Sequence, residues 1–154
     1  MASIIKRYRL EIIQESAKRY ECERKGICSP LQAAQAFEEV FHMTRLAEEF
    51  LGLFCLDTKN NVIGAHVVAQ GAINKAIIHP REVFKRAIVN NSARIMICHN
   101  HPSGNCDPSD NDEAITRRLK EAGELLGIDL IDHLIIGHED GEMTYCSLKE
   151  QGLL

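Results

Sequence analysis

Residues 95–112 read Ile95-Met96-Ile97-Cys98-His99-Asn100-His101-Pro102-Ser103-Gly104-Asn105-Cys106-Asp107-Pro108-Ser109-Asp110-Asn111-Asp112. An apolar run aimed at His99 predicts a core strand. Alternation along it puts the imidazoles of His99 and His101 on one face and Asn100 on the other. Pro102 and Gly104 end the strand and turn the chain. Pro108-Ser109 opens a helix with Ser109 as N-cap, and Asp112 falls at N3, the acidic position of a capping box. The loop therefore returns one carboxylate to two imidazoles.

Working outward, the helix from Ser109 runs to about Leu126, with Gly127 as its C-cap. Ile128–Ile136 reads as a buried strand and Met143–Cys146 as a short edge strand. Upstream, His79-Pro80 starts a helix whose buried face is Val83, Phe84, Ala87 and Ile88. Phe50–Leu56 and Val62–Ile73, joined by Asp57-Thr58-Lys59-Asn60-Asn61, read as a hairpin of two buried strands. Ser29-Pro30 opens another helix, with Leu31, Ala34, Phe37, Val40 and Phe41 at helical spacing. Arg9–Ile13 is read as a short strand. The class is α/β or α+β, with one mixed central β-sheet flanked by helices.

The 154 residues fit a single domain, which at this length buries roughly two thirds of its unfolded surface without needing a disulfide or metal to fold. With 45% apolar residues and a net charge of only -4, the composition argues against disorder. No apolar stretch approaches the ~20 residues of a membrane helix, and no apolar segment follows the basic start as in a signal peptide. A cytoplasmic location is the resulting expectation, with no membrane partner. Charge is uneven: the balance is +3 over residues 1–25, +1 over 26–105 and -8 over 106–154. An acidic last third argues against a general DNA-coating surface, and the basic start reads as a solvated segment or a small electrostatic patch.

Two imidazoles and a carboxylate form a nitrogen and oxygen donor set. Three such ligands with one position left to water is the catalytic zinc pattern, whereas structural sites are closed by four protein ligands. Taken singly, a His-x-His pair with a later Asp is common by chance, and Ser109 and Asp112 serve equally as helix caps. Together, strand end, turn and helix start raise the odds of a site. Zinc deaminases need His-x-Glu with a Cys-x-x-Cys, and zincins a helical His-Glu-x-x-His; neither is present. The triplet His99-Asn100-His101 only coincidentally spells the HNH nuclease label.

The joint pattern, His-x-His with Asp ten residues on and Ser three before it, resembles the JAMM (MPN+) metalloprotease signature. The longer string His-Asn-His-Pro-Ser-Gly…Pro-Ser-x-x-Asp resembles the RadC branch of that superfamily. So do Leu56–Asn60, His79–Phe84, Thr116–Leu119 and Asp132–Gly137. The resemblance covers about residues 30–154. It implies a JAB/MPN domain of cytidine deaminase-like architecture over 29–154, with 1–28 as an N-terminal extension.

It further implies one Zn2+ per chain, held by His99, His101 and Asp112, and a metal-activated water attacking an amide carbonyl. Its general acid/base is implied to be Glu49 rather than Glu48, because Gly52-Leu53 follow at the family offset and the count back from Leu56-Asp57 agrees. Read without the family, Glu48 and Glu49 are an exposed acidic pair at a helix end. Ser109 is implied as the oxyanion donor. A peptide or isopeptide-linked protein is the implied substrate class.

Three functions follow: a zinc metallopeptidase or isopeptidase, a DNA-repair-associated protein acting on or near DNA, and a non-catalytic interaction module. No hairpin glycine pattern precedes the first helix, so the helix-hairpin-helix region usual in RadC chains is expected to be absent, which weakens the nucleic-acid reading. The complete set of implied residues weakens the third.

His133, beside Asp132 in an apolar strand, reads as a satisfied core histidine, with a role behind the site or facing substrate as the alternative. His79 reads as structural. The six cysteines contain no Cys-x-x-Cys pair and suggest neither a disulfide framework nor a thiolate metal site. Cys55 and Cys98 read as small buried side chains. Cys22 and Cys28 flank a loop and pair only if geometry permits. Cys106, inside the loop, reads as a loop thiol or a neighbour of the metal.

Overall fold

The computed structural model describes residues 5–7, 9, 11–17, 26–71 and 78–154. Its elements are α1 (Pro30–Phe41), a 3-10 turn (Met43–Arg45), β1 (Phe50–Leu56), β2 (Val62–Gln70), α2 (Pro80–Val89), β3 (Arg94–Asn100), α3 (Asp110–Leu126), β4 (Asp129–Glu139) and β5 (Glu142–Ser147). The strands form one five-stranded mixed sheet in the order β2-β1-β3-β4-β5. Only β3 and β4 run parallel, joined by α3; the other neighbours are antiparallel. The mixed α/β class with a helix-flanked central sheet is as expected.

The two sheet faces bury different layers. Against one lies α1, with Phe37, Phe50, Phe54, Met96, Cys98 and Ile136 in a single apolar cluster. The Phe37 and Phe54 rings stack at 3.7 Å between centroids. Against the other face lie α2 and α3, packed on Leu51, Leu53, Ile95 and Ile97. Successive strand residues alternate between these layers, so β1 and β3 carry continuous apolar runs.

Helix entry follows local chemistry. Ser29 accepts from the Gln32 amide ahead of Pro30, and His79 Nδ1 accepts from the Arg81 amide ahead of Pro80. Gly127, in the left-handed region at φ 69°, ends α3.

Four sequence expectations need correction. Arg9, Glu11, Ile12 and Ile13 form no strand, and Ile13 is 81% exposed; these residues pair with no strand and cover no apolar face. Leu10 lies outside the described residues, as does the end of the expected second hairpin strand at residues 72–73. The hairpin is not two equally buried strands. β1 is buried at all seven positions, whereas β2 alternates because it is an edge strand. Ile88 and Leu31 are exposed, since the packed stripes run through Val83, Phe84 and Ala87 on α2 and through three small alanines and Phe37 on α1. Among the described residues no helix is long and apolar enough to cross a membrane.

Candidate metal centre

The carboxyl end of the central strand β3 meets the amino end of α3, the crevice position where open α/β sheets place their sites. His99 and His101 leave β3 on the face that α3 covers. Asp112 returns to them through the capping box: the Ser109 hydroxyl accepts from the Asp112 amide at 3.2 Å, and Asp112 Oδ2 accepts from the Ser109 amide at 2.8 Å. The Ser109 hydroxyl proton points to Asp112 Oδ2 at 2.7 Å.

The loop between strand and helix is fixed against β4. His101 donates its amide to the Ile136 carbonyl, Gly104 N–H to the His101 carbonyl, and His138 N–H to the Gly104 carbonyl. Gly104 sits at φ 91°. Opposite it, a Cβ on Gly137 would stand 2.0 Å from the Gly104 carbonyl oxygen, so this approach requires glycine.

The three side chains converge. Nε2 of His99 lies 2.9 Å from Nε2 of His101. Asp112 Oδ1 is 3.2 Å from the first and Oδ2 is 3.5 Å from the second. Among the described residues, these three form the cluster of ligating atoms able to hold an ion. Ligands at ~2.0–2.1 Å from a tetrahedral zinc-sized ion stand about 3.3 Å apart, a spacing these separations bracket.

Hydrogen bonding fixes which ring nitrogens carry protons. The Thr116 hydroxyl donates to the Asp112 carbonyl at 2.7 Å, so its oxygen accepts from His133 Nδ1 at 2.5 Å. His133 Nε2 is then an acceptor and receives the His99 Nδ1 proton at 2.8 Å. His101 Nδ1 donates to the Asn105 carbonyl at 2.7 Å. Both Nε2 lone pairs therefore face each other and the carboxylate. Such an arrangement calls for a cation between them, a proton or a metal ion.

The electrostatics agree. Burial pushes the Asp112 carboxyl up, but hydrogen bonds to His101 and His99 outweigh it and hold the group far below the usual carboxylate range. His101 is raised, first by its hydrogen bond to Asp112 and in part by the charge of Glu49, against the opposing effect of burial. Complete burial holds His133 well below its ordinary value and therefore neutral. A neutral His133 is what the donor chain requires.

Glu49 precedes β1. The β1–β3 register ends with Leu51 opposite His99. Continued by two residues, it sets Glu49 opposite His101 on the same face, while Glu48 falls in the phase of Phe50. Glu49 is half-buried and Glu48 exposed. Both, with Gly71, His101, Pro102 and Ser103, line a cleft of about 620 Å³.

Sequence reasoning placed His99, His101 and Asp112 near one another, and the structure brings them together. Ser109 is exposed beside Asp112 and bonded into the cap. His133 lies directly behind His99. Cys106 packs with Leu153 against a small apolar cluster of Ile135, Cys146 and Leu148. Two residues inside the family-like strings received no role from the sequence: Thr116, whose hydroxyl closes the donor chain, and Asn100. The Asn100 carboxamide, 2% exposed, accepts from Phe50 N–H at 2.7 Å and donates to the Glu48 carbonyl at 3.0 Å. Among the described residues all five cysteines are free thiols, and Cys22 lies outside them.

Fold and site together define a single-sheet α/β domain with a His-His-Asp cluster at the end of its central strand. A family model of the RadC-like JAB domain matches residues 27–153, and the chain belongs to that family. It is 48% identical over 144 residues to a UPF0758 protein of Clostridium kluyveri, covering 91% of this chain and 60% of that protein. A UPF0758 protein of Clostridium novyi is 47% identical over 146 residues, covering 92% and 61%. One of Clostridium beijerinckii is 43% identical over 155 residues, covering 100% and 62%. The chain thus spans about 60% of the length of these curated relatives.

Proposed function

We propose that this domain is a zinc-dependent hydrolase of peptide or isopeptide bonds, with one Zn2+ per chain held by His99, His101 and Asp112. The observation that carries the reading is the convergence of two imidazole lone pairs and a strongly acidic carboxylate beside a cleft that also holds Glu49. The donor set favours zinc over calcium or magnesium, which prefer oxygen cages. When bound, the ion supplies a lowered pKa for water and polarises a carbonyl.

The protein's own groups do the rest. Glu49, across from His101, takes a proton from the attacking water and returns it to the leaving amine nitrogen. Ser109 turns its hydroxyl proton from Asp112 toward the oxygen that gains charge, the role of an oxyanion donor. His133 and Thr116 keep His99 in the tautomer that presents Nε2. The cleft beside Pro102 and Ser103 receives the extended substrate chain.

The test combines metal analysis with turnover of internally quenched peptides and lysine-linked isopeptides. The expected result is one zinc per chain and metal-dependent cleavage that Glu49→Gln lowers by about 10²–10⁴-fold while zinc stays bound. A zinc-loaded Glu49→Gln protein with parental turnover rules out the role of Glu49. Salt-sensitive binding to DNA, without peptide cleavage, would point to a nucleic-acid function instead.

A further inference from the structure

We propose that Asn100, between the two histidines, is a positioning residue for Glu49: its buried carboxamide grips the backbone on both sides of Glu49 and sets the carboxylate opposite His101. The inference deepens the peptidase reading and rests on Glu49 being its proton carrier.

The argument starts from where the sheet stops. Main-chain register between β1 and β3 ends at Leu51 and His99, while β3 stays bonded to β4 one step further, through the His101 amide and the Ile136 carbonyl. From there the main chain of β3 no longer holds the segment that carries Glu49. The Asn100 side chain takes over, accepting from Phe50 N–H and donating to the Glu48 carbonyl. On the other side the Gly71 amide donates to the Glu49 carbonyl at 2.8 Å. The two peptide groups that flank Glu49 are therefore both held, the 48–49 group at its carbonyl and the 49–50 group at its carbonyl and its N–H.

The chemistry needed is specific. Gripping a carbonyl and an amide two residues apart takes a donor and an acceptor side by side on one planar group, which asparagine has and aspartate lacks. Position matters equally. In a His-x-His strand end the middle residue must point to the opposite face. One residue thus spaces the two imidazoles and, on the far side of the sheet, holds the strand that brings the carboxylate. Its near-complete burial removes water as a substitute partner.

The test compares Glu49→Gln, Asn100→Ala and the double variant, each loaded with Co2+ and followed by the pH dependence of its visible absorption band. Glu49→Gln is expected to move the midpoint of that dependence by at least ~0.5 units. Asn100→Ala binds one Co2+ per chain with parental affinity and moves the midpoint in the same direction. The double variant goes no further than Glu49→Gln. Amide exchange at Phe50 speeds up by at least ~10-fold in Asn100→Ala.

Asn100→Leu removes donor and acceptor without adding a charge; it is expected to show the same shift and serves if the alanine variant does not fold. An unmoved midpoint in the folded Asn100 variants, with Glu49→Gln shifted, overturns the positioning role and leaves Glu49 standing. No shift in Glu49→Gln removes the Glu49 reading and this inference with it. Weakened Co2+ binding in the Asn100 variants also overturns it, because Asn100 then serves the ligands.

Discussion

The two halves of the site are built differently. The ligand half, His99, His101 and Asp112, comes from 14 consecutive residues and is braced on every side: a capping box, a donor chain through His133 and Thr116, and a glycine contact that seats the loop on β4. The Glu49 half arrives from another part of the chain, at the point where β1 begins, and is held through backbone bonds to Asn100 and Gly71. A braced half suits an ion that needs fixed donors. A half held by its backbone suits the proton transfer proposed for Glu49.

Removing a ligand should have the largest effect. His101→Ala deletes one of two imidazole donors and leaves Asp112 buried without one of its partners. Metal affinity should fall at least ~1,000-fold, ten times or more beyond the 10–100-fold usual for outer partners. Titration with zinc against a competing chelator measures it, and parental affinity in this variant removes His101 from the site.

Glu49→Gln probes the other half at full metal occupancy. Turnover should drop by about 10²–10⁴-fold, the range of a positioned acid/base, with zinc content unchanged. The contrast between the two variants is the point: one loses metal and activity together, the other activity alone.

His133→Leu should weaken metal binding by about 10–100-fold, because the His99 Nδ1 proton loses its acceptor and the ring its fixed tautomer. Thr116→Val, which removes the far end of the same chain, should act in the same direction and less strongly. If neither changes metal affinity, the bracing of the ligand half is not what prepares it for the ion.

Acidity offers a graded version of the same probe. The His101 value is raised, chiefly by Asp112. In metal-free protein this pairing contributes stability that is full below the ordinary histidine value of about 6.5 and is lost as pH rises through the raised value. A metal must displace that proton, so its affinity should fall as pH drops below the raised value. The zinc-induced rise in Tm should therefore be small near ~pH 5 and large near ~pH 8. A rise independent of pH would mean that the imidazoles do not carry the ion.

The same asymmetry explains how much of the molecule was legible beforehand. Elements with a period and a punctuating residue were readable: Ser29-Pro30, His79-Pro80 and Ser109 with Gly127 all stand where their local chemistry put them. So was the contiguous His-x-His to Asp spacing, since a strand, a turn and a capping box are local matters. Exposure was not. Leu31, Ile63 and Ile88 look like core residues in sequence but lie outside the packed stripes or on the edge strand. Long-range partners were not legible either. Nothing in the residues around Asn100 announces that its amide reaches Glu48 and Phe50 some fifty positions earlier. Thr116 resembles any helix threonine until His133 is laid against it.

Ser109 lies in the ligand half, and its replacement should give the smallest effect and the finest distinction. Its hydroxyl both caps α3 and touches Asp112. Ser109→Ala removes both functions and should cost about 1 kcal/mol of stability, the usual value of a lost N-cap. Ser109→Gly costs only a few tenths of a kcal/mol, because glycine is tolerated at that position, yet it also lacks the hydroxyl. The two variants should therefore differ in Tm but share any loss of turnover that comes from the hydroxyl. A purely capping serine predicts a glycine variant with parental kcat. An oxyanion donor predicts that alanine and glycine variants lose kcat equally, by at least ~10-fold, with KM little changed.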